Sequence, residues 1–188
     1  FWKRKFAVDL TISKAKPNVG HMVISELNQV GKVSKIITQN IDNLHQISGV
    51  PGENVIELHG NTTFAKCLDC DLRYELNSIK KLFEQTNKPP YCKNCSGIIK
   101  TATISFGQSM PKEEMLKAEK ASLSCDLFIA IGSSLKVYPA ASFPLVAKKN
   151  GSKLIILNRE DTDLDKYADL VIHDEIGEFL SKSIKLIS

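Results

Sequence analysis

The chain has 188 residues, 43% of them hydrophobic, enough to bury the core of one domain or of one large domain with a small insert, and this excludes a disordered tail or a peptide scaffold. The formal net charge is +4, and the basic residues are scattered in short groups such as Lys3-Arg4-Lys5, Lys80-Lys81 and Lys148-Lys149, which read as solvated faces and not as a nucleic-acid surface. No apolar run reaches the ~20 residues of a membrane helix, and no signal or transit pattern is present, so a soluble cytoplasmic protein without membrane partners is expected.

Pro17-Asn18 opens a predicted helix in which Val23, Ile24, Leu27 and Val30 recur at helical spacing until Gly31. The β-branched run Val33 to Thr38 reads as a buried strand. Pro111 begins a second helix through Glu113, Met115, Leu116 and Ala118, followed by the strand Leu127–Ile131 and a Gly132-Ser133-Ser134 turn. A helix from Pro139 to Lys149, strands at 154–157 and 170–172 and a closing helix over 175–183 complete the pattern. Helices alternating with continuous apolar strands predict an α/β fold with a Rossmann-like, doubly wound parallel sheet. Residues 61–104 break the alternation. The expected organisation is therefore a Rossmann-like domain from 1–60 and 105–188, with 61–104 as an inserted zinc-ribbon-like module.

Four of the five cysteines form the pairs Cys67-Leu68-Asp69-Cys70 and Cys92-Lys93-Asn94-Cys95, separated by 21 residues, one beyond the usual range for a two-knuckle tetrathiolate zinc site. Four thiolates close the coordination sphere and leave no position for water or substrate, so one structural zinc is expected. A pair of redox dithiols would need a strand-to-helix context that neither pair has. Cys125, alone before an apolar strand, reads as a core thiol.

In doubly wound sheets, ligands sit at the carboxyl ends of the strands. Three such loops carry polar clusters: Thr38-Gln39-Asn40-Ile41-Asp42-Asn43-Leu44-His45, Glu57-Leu58-His59-Gly60 and Gly132-Ser133-Ser134. Amides and a carboxylate can orient a sugar, a carboxamide or a water, while Asn40 or Asp42 could equally serve as a helix cap. A histidine can act as general base near neutral pH or stay a structural group. A glycine with hydroxyls can approach ribose and phosphate oxygens or merely cap a helix.

Taken together with Leu44-His45-Gln46, Phe106-Gly107, Tyr138-Pro139-Ala140-Ala141 and Asn158-Arg159-Glu160, these motifs resemble the sirtuin family of NAD-dependent protein lysine deacylases from about residue 17 to the end of the chain. The resemblance implies NAD as co-substrate and acylated lysine of proteins as substrate, with nicotinamide, free lysine and acyl-ADP-ribose as products. It makes His59 the catalytic base, with Asn40 and Asp42 sharing the catalytic centre. Gln39, Asn40, Ile41 and Asp42 would meet the nicotinamide riboside end of NAD, Asp42 holding the carboxamide. Gly132, Ser133 and Ser134 would meet ribose and phosphate, and Asn158, Arg159 and Glu160 the adenosine end. Ile104, Phe106, Gly107 and Val137 would clamp the substrate backbone by strand addition.

The family's opening strand, its Gly-Ala-Gly phosphate loop and its Asp-Phe-Arg segment have no counterpart here, and a truncated copy of a longer sequence is the expectation. Lys100-Thr101, Gln108 and Asn43 also depart from common family residues. Members that remove acidic acyl groups carry a Tyr-x-x-Arg pair before the Pro-Asn helix, and the absence of tyrosine from Phe1 to Lys16 points to a neutral acyl group. The alternatives are a catalytically incomplete NAD or ADP-ribose binding fragment, a zinc-stabilised interaction domain, and a protein ADP-ribosyltransferase.

Overall fold

The computed structural model describes residues 1–12, 14–105 and 107–184. Helix α1 spans Trp2–Ile12 and α2 Val19–Gln29. Strand β1 (Ile36–Thr38), the single turn α3 (Leu44–Ile47) and β2 (Val55–Glu57) follow. Next come β3 (Gly60–Cys67), β4 (Arg73–Glu75), α4 (Leu76–Thr86) and β5 (Ile99–Thr103). The remainder is α5 (Lys112–Ser124), β6 (Leu127–Ile131), α6 (Phe143–Lys149), β7 (Lys153–Leu157), β8 (Leu170–Ile172) and α7 (Ile176–Ile184). No helix among the described residues is long and apolar enough to cross a membrane.

The Pro17-Asn18 start holds. Asn18 caps α2, its side chain accepting from the His21 backbone N–H at 3.1 Å. Gly31 ends the helix at φ +73°, donating to the Asn28 carbonyl. Val33 was expected to begin the next strand, but its N–H donates back to Leu27 and its carbonyl accepts from the Asn28 side chain, so the chain closes the helix before β1 starts at Ile36. The helix expected from Pro139 likewise begins later. Residues 140–142 form a tight turn, and the α-helix starts at Phe143 because Pro144 lacks an N–H and fits only a first turn.

The parallel sheet lies in two pieces. β1 pairs β2, Ile36 opposite Val55, and β6, β7 and β8 pair in that order, Leu127 opposite Lys153 and Ile155 opposite Leu170. β7 is central, with Leu154 and Ile156 fully buried and Leu157 at 1% exposure. The outer edge of β6 is open among the described residues, and Leu127 and Ile129 are each 42% exposed. Helices α5 and α6 bridge the pieces: Ala118 and Phe143 bury against Ile56 and Leu58 at the end of β2, with Phe128 of β6 packed onto the same cluster. On the other side α2 and α7 cover β7 through Val23, Leu157 and Leu180.

A smaller antiparallel sheet, β4-β3-β5, carries the cysteines. Helix α1, for which the sequence offered no reading, packs onto it. Trp2 (5% exposed) stacks on Phe6 with ring centroids 5.3 Å apart, Phe6 meets Phe83 of α4, and Trp2 shares one core with Ala65, Cys67, Ile79, Cys92 and Ile99.

Gly60 joins the two regions. At φ +73°, a Cβ there would stand 1.9 Å from the Ala102 carbonyl oxygen, which is backbone and cannot rotate away. Gly60→Ala is therefore expected to cost about 2 kcal/mol or more, read as a lowered denaturant midpoint.

Candidate active site and metal centre

The four cysteine sulfurs lie within 4.8 Å of one another, with Cys67 to Cys95 at 3.4 Å and Cys70 to Cys92 at 3.6 Å. Sulfurs on a tetrahedral zinc, each ~2.3 Å from the ion, are about 3.8 Å apart, so this set suits one structural zinc. The knuckles supply their own support. The backbone N–H of Asp69 donates to Cys67 Sγ and that of Asn94 to Cys92 Sγ, both at 3.4 Å. Asp71 and Ser96 turn through positive φ, and a Cβ on Gly97 would stand 2.2 Å from the Asp69 carboxylate and 2.9 Å from Cys67 Sγ. The Tyr74 hydroxyl donates to Cys92 Sγ at 3.1 Å, which draws that thiol down to about 6 and favours the thiolate a metal requires. Cys125 sits outside this set, half-buried, its thiol directed at the Ser122 carbonyl.

The parallel pairing of β1 with β2 sets Thr38 opposite Glu57 and brings the two following loops together. His59 Nδ1 lies 3.0 Å from the Gln39 carbonyl oxygen. A carbonyl only accepts, so Nδ1 carries the proton and Nε2 keeps its lone pair. The His59 carbonyl accepts from Ile104 N–H at 2.9 Å, which splices the segment after β5 to the histidine. Asn40 is exposed, its N–H held by Thr38 Oγ1 at 3.0 Å. Asp42 closes a turn just ahead of α3, whose N-cap is Asn43: Oδ1 accepts from Leu44 N–H at 3.0 Å, and no described residue bonds Oδ2. Gln39 and Ile41 are half-buried on the same loop.

A second constellation stands where β6, β7 and β8 end. Gly132 turns at φ +61° with its N–H on the Leu157 carbonyl, and Ser133 Oγ accepts from Leu135 N–H. Ser134, Asn158, Arg159 and Glu160 line a cavity of about 400 Å³ together with Asn18 and residues 174–177. Asn158 is fixed by its side-chain bond to the Glu160 carbonyl and by His173, whose Nδ1 lies 2.9 Å from the Asn158 carbonyl, while Arg159 pairs with Glu175 at 2.6 Å. Sequence reasoning missed Asn18 and Asp174 to Gly177 as lining residues. Asn18 was legible only as a helix cap, and 174–177 follow the last strand, where the carboxyl-end rule could have found them.

Of the residues expected to clamp a peptide, Ile104 sits beside His59. Gly107 is exposed at φ +80°, Val137 is 47% exposed on the segment after β6, and Phe106 lies outside the described residues.

His21 of α2 and His45 of α3 meet at a tilt of 49° with ring centroids 4.9 Å apart, and among the described residues the buried His45 Nδ1 has no hydrogen-bond partner. Burial lowers both imidazoles below their ordinary value, His45 further disfavoured by His21, with Asp42 opposing. The unfolded chain then binds more protons below pH 6.5, so the stability these groups allow is present above that value and lost as pH falls through it. The urea midpoint is expected to drop between about pH 7.5 and about pH 5.5, and His45→Gln is expected to flatten part of that slope.

The Sir2 family model matches residues 1–139. An NAD-dependent protein deacetylase of Rhodopseudomonas palustris is 54% identical over 179 residues, covering 95% of this chain and 71% of that protein. NAD-dependent protein deacetylase 1 of Bradyrhizobium diazoefficiens is 55% identical over 179 residues, covering 95% and 70%. Among solved structures, a Sir2–p53 peptide–NAD+ complex superposes with a TM-score of 0.86 at 36% identity, covering 95% of this chain and 74% of that one.

Proposed function

Because the chain belongs to the Sir2 family, we propose that it is an NAD-dependent protein lysine deacetylase, consuming NAD and releasing nicotinamide and O-acyl-ADP-ribose. The observation that carries this reading is the His59 imidazole, held through Nδ1 by the Gln39 carbonyl next to the Asn40–Asp42 loop, so that Nε2 is the ring nitrogen left uncommitted by that bond. Identity above half to relatives named for this activity supports it over a binding fragment or a protein ADP-ribosyltransferase.

NAD supplies an electrophilic ribose carbon with nicotinamide as leaving group. The chain's part is to bind, orient and move protons. We assign His59 Nε2 as the base that takes a proton from a ribose hydroxyl, and Asp42 Oδ2 as acceptor for the carboxamide N–H, with Gln39, Asn40 and Ile41 completing that end. Gly132, Ser133 and Ser134 would receive ribose and phosphate oxygens, and Asn158, Arg159 and Glu160 the adenosine end; the cavity that Ser134 shares with the latter three supports this. Ile104, Gly107 and Val137 are assigned to the peptide backbone, the hydrogen bond from Ile104 to His59 supporting the first. The same proposal divides the chain into an NAD-binding domain at 1–60 and 105–188 and a zinc module at 61–104, with α1 excepted because its Trp2 packs in the module's core. It also places the protein in the cytoplasm, supported by four thiols gathered for a metal and not paired as disulfides.

The test is mass analysis of a reaction with an acetyl-lysine peptide and NAD. Free lysine and O-acetyl-ADP-ribose are expected in equal amounts. ADP-ribose attached to protein, without loss of acetyl, would favour the transferase reading.

A further inference from the structure

Two residues before His59, Glu57 ends β2 with its carboxylate half-buried. Its Oε1 accepts from Gln46 Nε2 at 2.8 Å and from Asn61 Nδ2 at 2.7 Å. Asn61 is 3% exposed, and its amide orientation is set by its own partners. Oδ1 accepts from the Thr63 N–H at 2.8 Å and hydroxyl at 2.7 Å, which leaves Nδ2 as the donor to Glu57 and, at 2.9 Å, to Asn43 Oδ1. The Thr62 N–H donates to the Ile41 carbonyl at 2.8 Å. The loop that carries Asn40 and Asp42 is thereby tied at positions 41, 43 and 46 to strand positions 57, 61 and 62, on both sides of the His59-Gly60 turn. Asn43 adopts a left-handed φ of +65°, a conformation that the Asn61 contact helps to hold.

Polar side chains do not gather this way without a structural return, because each buried amide or carboxylate loses water and must be repaid by a partner. Three of these bonds cross between the two loops, Gln46 to Glu57, Asn61 to Asn43 and Thr62 to Ile41, while the Asn61–Glu57 bond spans the His59-Gly60 turn and the Asn61–Thr63 pair orients the amide. We propose that Glu57 and Asn61 are positioning residues that lock the Asn40–Asp42 loop to the His59 turn, fixing the distance between the base and the groups that hold the nicotinamide end of NAD. This rests on the assignment of Asn40, Asp42 and His59 given above. Glu57 acts as a two-bond acceptor and takes no proton from substrate, so an amide carbonyl in its place can still accept from Gln46 and Asn61.

The experiment compares Glu57→Ala, Glu57→Gln and Gln46→Ala in the full, zinc-loaded chain by amide hydrogen exchange and by kinetics. Glu57→Ala is expected to speed exchange of the Thr62 and Leu44 amides by roughly tenfold or more, to raise KM for NAD on the order of tenfold, and to weaken nicotinamide inhibition in parallel, with kcat changed much less. Glu57→Gln is expected to restore most of all three. Gln46→Ala, which removes one donor and leaves Asn61 in place, is expected to show a smaller change of the same kind and serves if Glu57→Ala does not fold. Unchanged exchange and KM in both alanine variants would overturn the lock. Glu57→Gln as impaired as Glu57→Ala would overturn it too, by showing that the charge itself is needed. If the wild-type chain turns over no NAD, the exchange data still decide the lock, and the enzymatic reading fails separately.

Discussion

Replacement of His59 by alanine is expected to lower NAD-dependent deacetylation by roughly 10²–10⁴-fold while leaving NAD affinity nearly unchanged. His59 is presented by the β2 end, with one ring nitrogen committed to the Gln39 carbonyl, so the imidazole has a defined tautomer and a defined direction. Truncation removes the base and leaves the cavity at Ser134, Asn158 and Glu160 untouched, because those residues stand on a different set of strands. The measurement is a full rate profile for NAD beside a direct binding isotherm. Equal loss of binding and turnover would make His59 a packing residue, and retention of turnover would remove it from the chemistry altogether.

Removal of zinc is expected to have the largest effect on the fold. Cys67 and Cys92 are themselves core residues of the module, sharing a cluster with Trp2, Ala65, Ile79 and Ile99. Four thiolates without a cation repel one another, and protonated thiols only partly fill the role of a metal whose apparent binding free energy in such sites is ~10–16 kcal/mol. Chelation, or Cys92→Ser, should therefore loosen β3, β4, α4 and the docked α1 together. Trp2, the only tryptophan in the chain and 5% exposed, reports this directly. Its emission is expected to shift to the red on chelation and to return when zinc is restored. A silent Trp2 would mean that the module holds without its metal.

Much of the site was readable because strand ends, polar clusters and cysteine spacing are local features. The gathering of Cys67, Cys70, Cys92 and Cys95 needed only two tight turns and an expected tetrahedron, whereas the rule that ligands sit at the carboxyl ends of parallel strands only drew attention to the His59 and Asn40–Asp42 loops, and their roles came from the resemblance to sirtuins. What could not be read was long-range. Nothing in residues 1–12 signals that their aromatic face belongs to a module some 60 residues away, because burial of Trp2 against Cys92 is a property of the folded core. The division of the parallel sheet into β1-β2 and β6-β7-β8 depends on which edges find partners, and strand propensity says nothing about that. The shorter β1 and the later start of α6 came from single donors, the Val33 N–H and the missing N–H of Pro144. Glu57 was visible as the end of an apolar run, but its two amide partners lie 11 residues before and 4 residues after it, on different elements.

The most direct test of the enzymatic reading is nicotinamide release from NAD by the zinc-loaded chain, followed with and without an acetyl-lysine peptide. Release that depends on the peptide, in step with loss of acetyl, is the predicted result. No release in the presence of peptide, from a folded and zinc-loaded sample that binds NAD, would contradict it.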